Sequence, residues 1–414
     1  MNPFCEKPMD MWQLFENWEQ IYPKPYNKNT VDPYTKCRII LMNGTEFEQV
    51  WFGHQFARNC NCNELRRELA VLRRSEQQQQ KTIAALKAPD ESILEHTISY
   101  EQLAVDLTCA LAKNEPDCNV KSALDFALLE DFDHLYRYAN LLEMEQGVRA
   151  ERLVGGYTEI TPGRPTISHH RYPADNVHCF INNKTAKPIT VLNVGIITAA
   201  EQQTMNYYMN VVPLYTSDLG RQLYQEIGMV EEEHVTQYGQ LMDPNATWLE
   251  NLLLHQYTEC YLYYSMCVDE TDPYIRKIWD CFFHQEVTHL HYVAGLLKKY
   301  EGKQWEQVIP CGDFPELLSL HSNIDYVRCV LANTAWLTSR LEEYVDVCKL
   351  PANAPFFRVQ NIVNPTPACV PSHRVIDKMI LKNQCDYRYE LSQNPLPELR
   401  CRTKDNTSVG RSCK

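Results

Sequence analysis

The feature that most constrains this chain is an internal repeat with no gap in it. Glu101-Gln102 and Glu201-Gln202 lie 100 residues apart, and so do His134 and His234, Tyr138 and Tyr238, Leu141 and Leu241, and the basic pair Lys121 and Arg221. In each copy a lone glutamate precedes the acidic member of an acid-x-x-His motif by 30 residues: Glu101 to Asp131, and Glu201 to Glu231. A looser third copy runs 27 residues from Glu259 to Glu286, with His289 closing the motif. Each copy reads as a helical hairpin. A short connection makes its two helices antiparallel, and a rise of about 1.5 Å per residue puts the two ligand sets at similar heights above the turn.

The surrounding sequence favours helices. No glycine lies between Gly53 and Gly147, and glycine is costly in helices and common in turns. Residues 63–86 read as one amphipathic helix, with its glutamine run on the solvated face, and Pro89 closes it. Ser92 and Glu95 form a capping box that opens a helix near 93–113, and a second helix runs to about 146, where Gly147 stops it. Residues 148–196 hold glycines, prolines and β-branched residues, and read as a long crossover with short strands. Helices resume at about 197, with a break near Pro213. Ser217 opens the next, to about 241, and Thr247 with Glu250 caps another. Asp272-Pro273 starts one that ends near Gly302, and Ser322 caps a last helix to about 347. The expected organisation is an irregular extension over 1–62, a helical bundle over 63–302, and a helical and irregular extension over 303–414.

Composition narrows the partners. The formal net charge of −13 argues against nucleic acid or an anionic membrane as the main partner, although Arg66, Arg67, Arg73 and Arg74 form a local basic stretch. No signal peptide or membrane span is visible, so a cytoplasmic location with free thiols is expected for the 17 cysteines. Cys60-Asn61-Cys62 has no second pair at zinc spacing, which speaks against a metal role.

An acid three residues before a histidine puts both side chains on one helix face, one turn apart. Two adjacent metal ions need such groups: a carboxylate that can bridge them and an imidazole for one of them. The pattern occurs four times, at Asp131/His134, Asp175/His178, Glu231/His234 and Glu286/His289, so order matters more than number.

The order Glu, acid-x-x-His, Glu, Glu-x-x-His is similar to the ferritin-like superfamily, especially its rubrerythrin-like members. The similarity covers about residues 95–300. It implies a mainly α, ferritin-like bundle of up to six helices that holds two iron ions, or two manganese ions, reacting with dioxygen or peroxide. Asp131 departs from the usual glutamate. No cysteine-rich rubredoxin module is present, so a separate electron-donor protein is implied; assembly as a homodimer is open.

Three hairpins are more than one centre needs. The connection of about five residues before Thr247 cannot cross a bundle roughly 30 Å long, whereas residues 148–196 can. Topology therefore favours Glu101, Asp131, His134, Glu201, Glu231 and His234. Motif quality favours Glu201, Glu231, His234, Glu259, Glu286 and His289.

Plainer readings stand beside these. Glu201 follows Thr198 by three and fits a capping box; His134 fits a hydrogen-bonded core histidine; the motif of His289 has His284 and His291 beside it. Glu232 and Glu233 fit solvated helix faces. His169, His170 and His178 fit a loop surface, and Tyr207, Tyr208, Tyr263 and Tyr264 fit core packing. The reaction expected from the resemblance is that of a non-haem di-iron oxidoreductase. A dimanganese catalase-like enzyme, a substrate hydroxylase and a non-enzymatic metal-binding scaffold are the alternatives.

Overall fold

Asp32-Pro33 carries the same start signal as Asp272-Pro273, and both open helices. In the computed structural model, which describes residues 1–163, 170–335, 337–343 and 349–384, Asp32 accepts from the Tyr34 amide and begins α1 (Pro33–Asn59). This 27-residue helix occupies a region that the sequence suggested was irregular. The reason is burial. Every residue from Tyr34 to Met42 is buried, so no polar stripe marks the period of the helix. Its charged residues are paired: Lys36 with Glu91 at 2.5 Å, and Arg38 with Asp269 at 2.9 Å and Glu270 at 3.2 Å.

The other helices are α2 (Asn63–Ala85), α3 (Ile93–Asn114), α4 (Cys118–Gln146), the single turn α5 (Ala150–Leu153), α6 (Pro188–Val211), α7 (Asp218–Gly239), α8 (Trp248–Asp269) and α9 (Pro273–Glu301). Three shorter helices follow: α10 (Ile324–Thr334), α11 (Pro355–Val363) and α12 (Pro371–Asn383). The architecture is all-α, with no strand among the described residues; the short strands expected in the crossover are absent there.

The caps legible in the sequence are present. Ser92 with Glu95 and Thr247 with Glu250 form full capping boxes, Ser217 caps α7, and Asp272 caps α9. Gly147 and Gly302 end α4 and α9 at φ 67°, a left-handed conformation that side-chain-bearing residues rarely adopt. Two boundaries differ. The helix expected from about 197 begins nine residues earlier, at Pro188. The helix expected to reach 347 ends at Thr334, with Asn323 at its N-cap, and residues 344–348 and 385–414 lie outside the described residues.

The chain divides into two units, each assembled from separate stretches. The first comprises Met1–Glu91, Phe180–Gln203 and Met242–Leu320. In it α1 and α2 form one hairpin and α8 and α9 another; α1 packs on α8, and α2 touches α9. The second comprises Ser92–Cys179, Thr204–Leu241 and the chain from His321. Its centre is the α3/α4 hairpin. Helix α4 packs against α7, α10 and α12, around a core that includes Leu128, Phe132, Leu135, Leu223 and Ile227. No described helix is long and apolar enough to cross a membrane.

Candidate metal centres

Helix periodicity places the motif acids and histidines on inward faces. Glu101, Asp131, His134, Glu201, Glu231, His234, Glu259, Glu286 and His289 are each at most 2% exposed. Carboxylates are almost never buried to that degree unless paired or bound. The repeat therefore produces clusters of buried ionisable groups, and they fall in both units.

In the second unit, Glu101 from α3, His134 from α4 and Glu231 from α7 present ligand atoms within 4.8 Å of one another, close enough to hold a metal ion. Glu231 serves both histidines: His134 Nδ1 lies 2.9 Å from its Oε1, and His234 Nδ1 lies 3.2 Å from its Oε2. Burial alone would raise the Glu231 carboxyl. The hydrogen bond and charge of His134, then those of His234, outweigh it and hold the group below the ordinary carboxylate range. Asp131 Oδ1 lies 3.5 Å from His234 Nδ1, and its Oδ2 accepts from Thr108 at 3.1 Å. Tyr208 donates to Glu101.

Behind this cluster stands a residue that the motif search passed over. Glu130, next to Asp131, reaches His234 Nε2 at 2.8 Å, and on its other side it is paired with the buried Arg171. The inner nitrogen of His234 thus faces the carboxylates while the outer one is held by an ion pair, the arrangement that fixes the ring of a ligating histidine. Arg171 belongs to the crossover, and its guanidinium also pairs with Glu233 at 3.1 Å. Glu233 is therefore only partly exposed and is held by an ion pair; burial raises its carboxyl to about 7, with Arg171 opposing. His170 is also buried rather than on a loop surface, and its Nε2 lies 4.0 Å from Glu226. His178 is half-buried, and His169 lies outside the described residues.

Glu201 sits inside α6, in the stretch that belongs to the first unit, and is buried. It is not a capping glutamate. Thr198, its expected cap partner, bonds the Val194 carbonyl at 2.7 Å within the same helix.

In the first unit, Glu259 of α8 and Glu286 and His289 of α9 meet two residues absent from the sequence reading, Glu46 of α1 and Glu76 of α2. Glu76, Glu286 and His289 form one group with ligand atoms within 4.8 Å, and Glu46, Glu76 and Glu259 form another. His289 Nδ1 lies 3.0 Å from Glu286 Oε1 and 3.3 Å from Glu76 Oε1. Gln79 donates to Glu286 at 2.7 Å, Gln256 to Glu259 at 2.7 Å and to Glu76 at 3.1 Å, and Tyr263 to Glu46.

The charge pattern here is the reverse of that around Glu231. Burial, then Glu76 and Glu286, raises Glu46 well above its usual value; burial, then Glu76, Glu286 and Glu46, does the same to Glu259. Burial and Glu286 bring Glu76 to about 8. His289 is raised to about 9, because Glu286 and Glu76 outweigh the opposing effect of burial.

The candidate residues thus join partners that the three-hairpin reading did not foresee. Those partners are α1 and α2, with which Glu259, Glu286 and His289 group, whereas Glu231 and His234 group with residues of α3 and α4, one of the two pairings the sequence left open. The spacing could have revealed the fourth hairpin: Glu46 precedes Glu76 by 30 residues, as in the other two copies. A search for acid-x-x-His misses it because Gln79 stands where the histidine would be. Cys60 and Cys62, between α1 and α2, are free thiols.

No protein-family profile, curated protein or solved structure matches the chain.

Proposed function

We propose that the second unit carries the centre of a non-haem di-metal oxidoreductase of ferritin-like type, with two iron ions, or manganese in their place, reacting with peroxide or dioxygen. The observation that carries the reading is the sharing of one carboxylate, Glu231, by two buried imidazoles from different helices. Nitrogen and carboxylate donors in this ratio suit iron and manganese. When bound, such ions supply two electrons to an oxidant held in one pocket.

The chain's own residues have separable tasks. His134 and His234 would hold one ion each, with Glu231 between them. Glu101 and Asp131 would complete the set from α3 and α4. Glu130 and Arg171 keep the ring of His234 turned inward. Tyr208 gives Glu101 a hydrogen bond that the carboxylate can trade as its charge changes. A separate reductant or donor protein is needed for turnover.

The test is to load the full-length protein anaerobically with Fe(II) and add one equivalent of peroxide or dioxygen. Rapid oxidation of the bound iron is expected, faster with peroxide, and it should be lost in Glu231→Gln. Iron-loaded protein inert to both oxidants would overturn the reading in favour of a metal-binding scaffold. Oxygen evolution from peroxide without reductant would replace it with the dimanganese catalase-like alternative.

A further inference from the structure

We propose that the first unit holds a second metal centre, unlike the first in its donors, in which Glu76 bridges two divalent ions. The two groups of ligand atoms share this residue alone. One offers an imidazole and two carboxylates, from His289, Glu76 and Glu286; the other offers three carboxylates, from Glu46, Glu76 and Glu259. All five side chains are buried.

Two further observations separate this cluster from an accidental meeting of acids. First, Glu259 Oε1 and Glu286 Oε2 are buried with no hydrogen-bond partner, although the other oxygen of each is bonded by a glutamine amide. A buried carboxylate left half-satisfied costs free energy, and a cation supplies what is missing. Second, the buried amides of Gln79 and Gln256 donate to one oxygen each of Glu286, Glu259 and Glu76. That orients the carboxylates without neutralising them, as the outer partners of metal ligands do.

Gln79 decides the character of the site. It stands one turn after Glu76, the position that His134 and His234 occupy after Asp131 and Glu231. The centre therefore has one imidazole where the second unit has two, and one of its ions would see only oxygen. An all-oxygen set suits hard ions such as Mn(II) and gives up the selectivity for softer metals that imidazole brings.

These residues are distinct from those of the proposed oxidoreductase centre, so the two assignments can be tested apart. Metal-free, full-length protein is dialysed against Mn(II), and retained manganese is measured by elemental analysis for wild type, Glu76→Gln/His289→Gln and Glu231→Gln/His234→Gln. Circular dichroism reports whether the helices persist. The proposal expects the Glu231/His234 variant to keep about two ions. These should show the spin coupling of a bridged pair by electron paramagnetic resonance, and Glu76→Gln alone should abolish the coupling. If the Glu231/His234 variant folds and keeps no manganese, the second centre is disproved while the assignment in the other unit stands. If that variant keeps its pair and the Glu76/His289 variant keeps none, the second centre stands and the other assignment falls.

Discussion

The rings of His134 and His234 lie 6.0 Å apart, centroid to centroid, with an oxygen of Glu231 turned toward each. Helices α4 and α7, carrying equivalent positions of a 100-residue repeat, thus converge on one carboxylate. This convergence makes His134, rather than His289, the partner of His234. Replacing His134 with Ala should lower the metal content of the second unit and leave that of the first unchanged. His289→Ala should do the reverse. Elemental analysis of the two variants, each also carried in the Glu231→Gln background, reads the difference; identical losses would refute the partition.

Glu130 predicts a graded effect. It touches His234 on the nitrogen away from Glu231 and is not itself needed as a ligand. Glu130→Gln keeps the shape and removes the charge that orients the ring. Metal affinity in the second unit should fall about 10–100-fold, as for other outer partners of ligating histidines. Competition with a chelator of known affinity measures it, and an unchanged affinity would remove Glu130 from the account.

Arg171 links the crossover to the same assembly. It is buried and paired with both Glu130 and Glu233. Arg171→Ala would leave the buried Glu130 and the partly buried Glu233 without their cation, and should destabilise the protein by about 3–5 kcal/mol. Arg171→Ala combined with Glu130→Gln and Glu233→Gln should recover part of that loss. Denaturant unfolding with chelator present tests both statements.

In the first unit the sign of the pH dependence follows from the raised carboxyls. Unfolded glutamate loses its proton near 4.5, whereas folded Glu76 holds it to about 8. Between those values unfolding releases a proton, so stability falls as pH rises. His289, raised from 6.5 to about 9, adds a loss of the same sign between those two values. Metal-free protein should therefore become less stable from pH 5 to pH 9. Metal-loaded protein should lose this slope, because the ions replace the protons. Thermal unfolding at a series of pH values, with and without chelator, should show the two curves converging at acid pH. Parallel curves would contradict the account.

Local signals were legible in the sequence where they are self-contained. Ser92 with Glu95, Thr247 with Glu250, Asp272-Pro273 and Gly147 each specify an end by hydrogen bonds or by a backbone conformation within a few residues, and each appears where read. Helix α1 was hidden because it is buried on all sides near its start, which erases the polar stripe. The pairing of α8 and α9 with α1 and α2 was hidden for another reason. Periodicity says that the faces of Glu259 and Glu286 are buried, but not that α1 and α2 supply their cover. The repeat pointed to residues that the fold buries and clusters, while Gln79 in the histidine position concealed the fourth hairpin.

Metal content tests the central claim most directly. Full-length protein reconstituted anaerobically with Fe(II), then freed of loose metal by gel filtration, should retain at least about two ions per chain. The Glu231→Gln/His234→Gln variant should retain about two fewer than wild type. Wild-type protein that retains no iron, and no manganese when manganese is supplied instead, would contradict the account at its root.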